Sequence, residues 1–127
     1  MSAAPRSPAD PAAPAPEPPE IAPLEIAPAE LARLRAGAGP YALLDVREGW
    51  ELEVCGFAEA IHLPLGALGG REGELPRDRP LVVICHSGRR SLLATRHLRQ
   101  QGLARAVNLR GGVEAYALEV DPTMARY

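Results

Sequence analysis

Residues 81–91 read Leu-Val-Val-Ile-Cys-His-Ser-Gly-Arg-Arg-Ser. Leu81 to Ile84 is a short, wholly apolar and mostly β-branched run, the composition of a strand buried on both faces. Cys85 follows at once, and Ser87 and Gly88 form a small-residue loop. Ser91 to Gln101 then carries Leu93, Ala94 and Leu98 on one side of a helix, and Gly102 is its C-terminal stop. A strand buried on both faces needs cover on both sides, and with short apolar strands alternating with helices along the chain it predicts an α/β domain with a central parallel sheet flanked by helices in three layers.

The flanking sequence repeats the alternation. Leu24 to Ile26 reads as a short first strand, and Pro28 opens a helix with Leu31 and Leu34 that Gly37 stops. Tyr41 to Val46 is a second buried strand, 48–59 is helical or irregular, and Ala60 to Leu63 is a brief strand. Residues 69–80 are polar and turn-rich and read as a loop. Ala106 to Leu109 is a further strand, Gly111-Gly112 a turn, and Val113 to Leu118 a last helix. Residues 1–23 are dominated by Pro, Ala and Glu, so they read as a disordered or polyproline-like tail ahead of a single domain over 24–127.

The order strand, cysteine, loop, helix carries the chemistry. Ligands of open parallel sheets sit at the carboxyl ends of the strands. The free amides and positive dipole end of the following helix favour an anion there. Ser87 and Gly88 leave room for loop amides to turn inward as an anion nest. Arg89 and Arg90 add permanent charge. A cysteine at such a helix N-terminus near cations is favoured as thiolate, the nucleophilic form. Cys85 is therefore the candidate nucleophile, with the loop from His86 through Ser87, Gly88, Arg89 and Arg90 to Ser91 as the candidate anion-binding group. The ring of His86 has two open placements, beside the sulfur or toward solvent.

Bulk composition narrows the partners. The 127 residues carry a formal net charge of -2, so no global field attracts nucleic acid. All 14 basic residues are Arg, so every cationic contact is a planar fork suited to oxyanions. Two cysteines, Cys55 and Cys85, are too few for a disulfide scaffold, and a reduced, cytoplasmic setting follows. The N-terminus lacks the apolar core of a secretion signal, and no apolar run nears the ~20 residues of a membrane helix. Cys55 reads as a semi-buried small residue; the alternative, a resolving thiol for Cys85, needs a Cα separation of about 4.4–6.8 Å. His62 reads as structural and His97 as surface, with no spacing that suggests a metal site. Glu48, Glu51 and Glu53, beside Trp50, read as solvated groups or local braces.

The segment Cys85-His-Ser-Gly-Arg-Arg-Ser91 resembles the active-site loop of the rhodanese family. Three further stretches are similar to that family's signatures: LLDVREGWE over 43–51, AIHLPLGAL over 60–68, and VNLRGGVEAY over 107–116 with the following VDPTM. The resemblance spans about residues 24–127. It implies a sulfurtransferase in which Cys85 accepts a sulfane sulfur from a donor such as thiosulfate, becomes a persulfide, and passes the sulfur to cyanide, a thiol or a protein acceptor. It also implies that the loop amides of His86 through Ser91 cradle the outer sulfur or the donor oxyanion, and that Asp45 and Arg47 support neighbouring loops. No cofactor is called for, because the protein thiol carries the sulfur. A protein-to-protein sulfur carrier or a binding module with weak small-molecule turnover is the alternative, with the 1–23 tail assisting docking. Glu59 stands where the family often has Gly, which bears on the turn geometry there, and Tyr116 stands where an aromatic, often Trp, is usual. A phosphatase reading fails on spacing: that class needs Arg six positions after its cysteine, and Ser91 stands there.

Overall fold

The computed structural model describes residues 23–127, so the tail expected over 1–23 lies, but for Pro23, outside the described residues. Five parallel strands form one sheet: β1 (Glu25–Ile26), β2 (Ala42–Asp45), β3 (Ile61–His62), β4 (Leu81–Ile84) and β5 (Ala106–Leu109), in the order β1-β5-β4-β2-β3. β4 is central. Val83 pairs with Leu44 on one side and with Asn108 on the other. Four α-helices cover the sheet: α1 (Pro28–Arg33), α2 (Gly49–Val54), α3 (Arg89–Gln100) and α4 (Gly112–Glu119).

The two-residue period of β4 divides the core. Leu81, Val83 and Cys85 join Leu44, Val46, Ala94 and Leu98 in a cluster under α3. Val82 and Ile84 join Leu31, Leu43, Val107, Leu109, Val113 and Tyr116 on the face covered by α1 and α4. Every residue of β4 is buried, and Val82, Val83 and Ile84 are wholly inaccessible. That is the two-sided burial expected of the apolar run, and it confirms the three-layer α/β expectation.

Several boundaries differ from the sequence reading, each for a local reason. The first helix relaxes into a wider turn over Leu34–Ala38 before Gly37 ends it. α3 starts at Arg89 rather than Ser91, because Gly88 caps it in the left-handed conformation with φ 95°. Gly112 is the first residue of α4 rather than part of a free turn. The 69–80 loop contains one short 3₁₀ turn, Glu72–Glu74. No helix among the described residues is long and apolar enough to cross a membrane.

Candidate active site

Cys85 lies one residue past β4, at the carboxyl end of the sheet, and is fully buried. Its Sγ accepts hydrogen bonds from the Gly88 amide at 3.1 Å and the Ser91 amide at 3.3 Å, and lies 3.2 Å from the Ser91 Oγ. Gly88 and Ser91 are the N-cap and third residues of α3. The sulfur therefore occupies the place that a capping side-chain oxygen fills in most helices. Gly88 has no side chain to do so, and the helix's positive end is directed at Cys85.

The loop is fixed from below by α4. Val113 and Glu114 donate their amides to the carbonyls of Cys85 and His86, at 2.9 and 3.0 Å. A Cβ on Gly112 would lie 2.5 Å from the Cys85 carbonyl oxygen, so the backbone of α4 approaches the loop as only glycine permits. The Gly111-Gly112 pair thus has a purpose the turn reading did not contain.

The predicted loop residues divide by what they touch. Gly88 and Ser91 reach the sulfur. Ser87 and Arg89 are exposed at the loop surface. His86 stacks on Tyr127, ring centroids 4.1 Å apart. Its Nε2 is buried and 3.8 Å from Glu114 Oε1, beyond a direct hydrogen bond. Arg90 has a partner that the sequence reading did not name. Its guanidinium forks onto Glu51, Nη1 to Oε2 at 2.7 Å and Nη2 to Oε1 at 2.8 Å. Glu51 is nearly fully buried, so of the two readings for the acids near Trp50 it takes the brace. The Arg90 contact holds the Glu51 carboxyl down to about 2, against the opposing effect of burial. Glu51 in turn, and more weakly charge on Cys85, holds Arg90 protonated.

Asp45 and Arg47 form a buried ion pair at 2.7 Å with both side chains essentially inaccessible. Arg47 also donates to the Cys55 carbonyl at 2.8 Å, the Glu51 carbonyl at 3.4 Å and the Tyr127 hydroxyl at 3.0 Å. One guanidinium therefore joins β2, α2 and the C-terminal segment. His62 caps the same turn, its Nε2 2.7 Å from the Arg47 carbonyl. Cys55 lies 3.7 Å from Arg47 Nη1, and both cysteines are free. His97 pairs with Glu72 at the surface. Glu59, the departure noted in the sequence, is tied by Arg35 at 2.7 Å and by the Tyr41 hydroxyl at 2.9 Å. Among the described residues no group of His, Cys, Asp and Glu is placed to hold a metal ion.

Two neighbours of this network escaped the sequence reading. Tyr127 bridges Arg47 and Glu51 through its hydroxyl, and burial, with Glu51 beside it, pushes that hydroxyl up to about 12, so it stays a donor. Asn108, wholly buried in β5, meets Ser91, Gly88 and Glu25. An Asn inside the apolar run Ala106–Leu109 is the signal that would have found it, because a buried amide needs partners.

The model of the rhodanese-like domain matches residues 27–119. The chain belongs to the rhodanese-like family. A sulfurtransferase of Allochromatium vinosum is 37% identical over 101 residues, covering 80% of this chain and 94% of that protein. The putative sulfur carrier protein YrkF of Bacillus subtilis is 39% identical over 71 residues, which are 56% of this chain and 38% of YrkF. Among solved structures, a rhodanese-related protein from Thermoplasma volcanium superposes with a TM-score of 0.69 at 34% identity, covering 76% of this chain and 92% of that one. The rhodanese-like domain described here is therefore similar, over most of its length, to proteins named for sulfur transfer.

Proposed function

We propose that this rhodanese-like domain is a sulfurtransferase that carries a sulfane sulfur on Cys85, taking it from a small anionic donor such as thiosulfate and giving it to a thiophilic acceptor. The observation that carries the reading is that the Gly88 and Ser91 amides donate to Cys85 Sγ, at 3.1 and 3.3 Å, at the start of a helix, with the Ser91 hydroxyl 3.2 Å from the same sulfur. Such donors favour negative charge on sulfur without a separate base.

In the forward half-reaction the Cys85 thiolate attacks the outer sulfur of thiosulfate. A new S–S bond forms, the bond to the sulfonate sulfur breaks, and its electron pair leaves with sulfite. The persulfide's charge then sits on the outer sulfur. In the second half-reaction cyanide or a thiolate attacks that outer sulfur, the Cys85–sulfur bond breaks, and its electron pair returns to Cys85 as thiolate. The loop amides from His86 to Ser91 hold whichever of these anions is present, Arg89 adds charge at the entrance, and Arg90 keeps the loop in place through Glu51. Asp45 and Arg47 act as supports. The cycle uses no cofactor and requires a reducing compartment such as the cytoplasm, because oxidation of Cys85 removes the nucleophile.

The experiment is intact mass of the purified protein after thiosulfate, then after cyanide, beside Cys85→Ser. One added sulfur that is absent in the variant and is released as thiocyanate supports the proposal. An unmodified chain, with Cys85 unreactive toward an alkylating reagent at neutral pH, overturns it. A protein-to-protein carrier role is the second reading, favoured by the similarity to the putative sulfur carrier YrkF and by Trp50, which is 61% exposed next to the Glu51–Arg90 brace. It gives weak thiosulfate turnover with full persulfide formation from a protein donor.

A further inference from the structure

Ser91 has one hydroxyl proton and two acceptors within reach. Its Oγ lies 3.2 Å from Cys85 Sγ and 2.5 Å from Asn108 Oδ1. The orientation of the Asn108 amide is set on its other side. Nδ2 faces two acceptors, Glu25 Oε2 at 2.8 Å and the Gly88 carbonyl at 3.2 Å. Turning the amide over would set Oδ1 against both of them with no proton between. Oδ1 therefore faces Ser91 and accepts a hydrogen bond from its hydroxyl, and a Cys85 thiol donates a hydrogen bond to Ser91 Oγ.

A thiolate reverses the arrangement. The thiol proton leaves to a solvent base, and Sγ becomes acceptor only. The two amide donors are unaffected. The third donor exists only if the Ser91 hydroxyl turns away from Asn108, and that leaves Oδ1 buried without a donor, which carries a desolvation penalty. We infer that Asn108 is a positioning residue that holds the Ser91 hydroxyl away from Cys85, so that the third hydrogen bond to the sulfur forms only when charge on the sulfur outcompetes the Asn108 carbonyl. The inference rests on the reading of Cys85 as the sulfur-carrying nucleophile. It also gives Ser91 a cycle. The inner sulfur of a persulfide is uncharged, so the hydroxyl returns to Asn108 once sulfur is loaded and comes back to Cys85 as the thiolate is regenerated.

The test is the pH profile of Cys85 alkylation by iodoacetamide, with the modified site assigned by peptide mass, in the wild type, Ser91→Ala, Asn108→Ala and the double variant. The charged and titratable groups around Cys85 are Arg90 with Glu51 behind it, His86 and the exposed Arg89 in the loop, and Glu25 behind Asn108; these substitutions change none of them. On the acid limb of the profile Asn108→Ala reacts about fivefold faster than wild type, the worth of roughly one hydrogen bond, and Ser91→Ala reacts about fivefold slower. In the Ser91→Ala background, Asn108→Ala changes the rate by less than about twofold, because nothing remains for it to release. Asn108→Asp keeps an acceptor for Ser91 and shares a proton with Glu25, so it reacts no faster than wild type, and it serves as second probe if the alanine variant folds poorly. No acceleration in Asn108→Ala, equal acceleration with and without the Ser91 hydroxyl, or acceleration in Asn108→Asp overturns the inference. Alkylation needs no sulfur donor, so failure of persulfide formation would overturn the proposed function and leave this result readable.

Discussion

Arg90 and Glu51 face each other as a two-pronged ion pair, 2.7 and 2.8 Å, that ties the first turn of α3 to α2. Arg90 is about a third exposed while Glu51 is almost fully buried. Removing the cation therefore leaves a buried carboxylate held, among the described residues, by the Tyr127 hydroxyl and the Glu48 amide. Arg90→Ala is expected to lower unfolding free energy by about 1–2 kcal/mol, below the range for wholly buried pairs because of that exposure. It should also slow persulfide formation, because the loop behind Cys85 is less firmly held. Urea denaturation and the rate of persulfide formation from thiosulfate check both. Arg90→Lys should recover less than half of the stability, because an ammonium cannot fork onto both oxygens.

The same pair sets an acid limit. The folded-state carboxyl of Glu51 is held at about 2 by Arg90, against an ordinary value of 4.5. A carboxyl depressed on folding contributes stability that is complete above about 4.5 and is lost as pH falls from there toward about 2. Glu51→Gln should flatten the fall in stability across that window and lower the plateau above it by about 1–2 kcal/mol. Glu59 is held at a similar value by Arg35, but both side chains are about one-third exposed. Glu59→Gln should therefore cost less than about 1 kcal/mol. Thermal melts of the three proteins from pH 6 to acid, at constant ionic strength, check the ordering.

Gly112 tests how closely α4 supports the cysteine loop. Its φ is +64°, and a methyl group there would meet the carbonyls of both Cys85 and His86. Gly112→Ala is expected to cost at least about 2 kcal/mol and to reduce persulfide formation, because relief of the clash must move the loop off Cys85. Gly73→Ala is the control. A methyl group there meets nothing within 4 Å, so stability should stay within about 0.5 kcal/mol of wild type. Equal effects at the two glycines would show that α4 does not position the loop.

The legible part of this protein is where one residue type has one physical reason. The run Leu81–Ile84 is buried on both faces and holds nothing polar, and with the alternation of short apolar strands and helices along the chain it implied parallel strands and two helical layers. Cys85 was legible because a strand, a small loop and a helix leave a sulfur at the helix's positive end. The brace on Arg90 was not legible because sequence gives a cation but not its partner; Glu51 lies 39 residues away in the chain and reaches it only through the fold. Tyr127 lay outside any pattern for the same reason. Asn108 carried a signal, a polar residue in a buried strand, whose partners only the β1–β5–β4 order could reveal.

Arg47 gives the sharpest test of how the site is braced. Its Nε and Nη2 fork onto Asp45, at 2.9 and 2.7 Å, while Nη1 and Nη2 also reach the Tyr127 hydroxyl and the Cys55 carbonyl. The Asp45–Arg47 pair itself is closed to water, since both side chains are essentially inaccessible. A lysine at this position keeps the charge but has one donor group in place of three, so it cannot satisfy Asp45, Cys55 and Tyr127 together. Arg47→Lys is expected to cost about 3 kcal/mol or more, as does breaking a buried pair. Tyr127→Phe removes only the hydroxyl and keeps the ring on His86, so it should cost about 1 kcal/mol. Because Arg47 and Tyr127 share a hydrogen bond, the double variant should lose less than the sum of the two. Urea denaturation of the three variants checks this. Strict additivity would mean that the bond between Arg47 and Tyr127 contributes nothing, and that the C-terminal segment is held by its aromatic contacts alone.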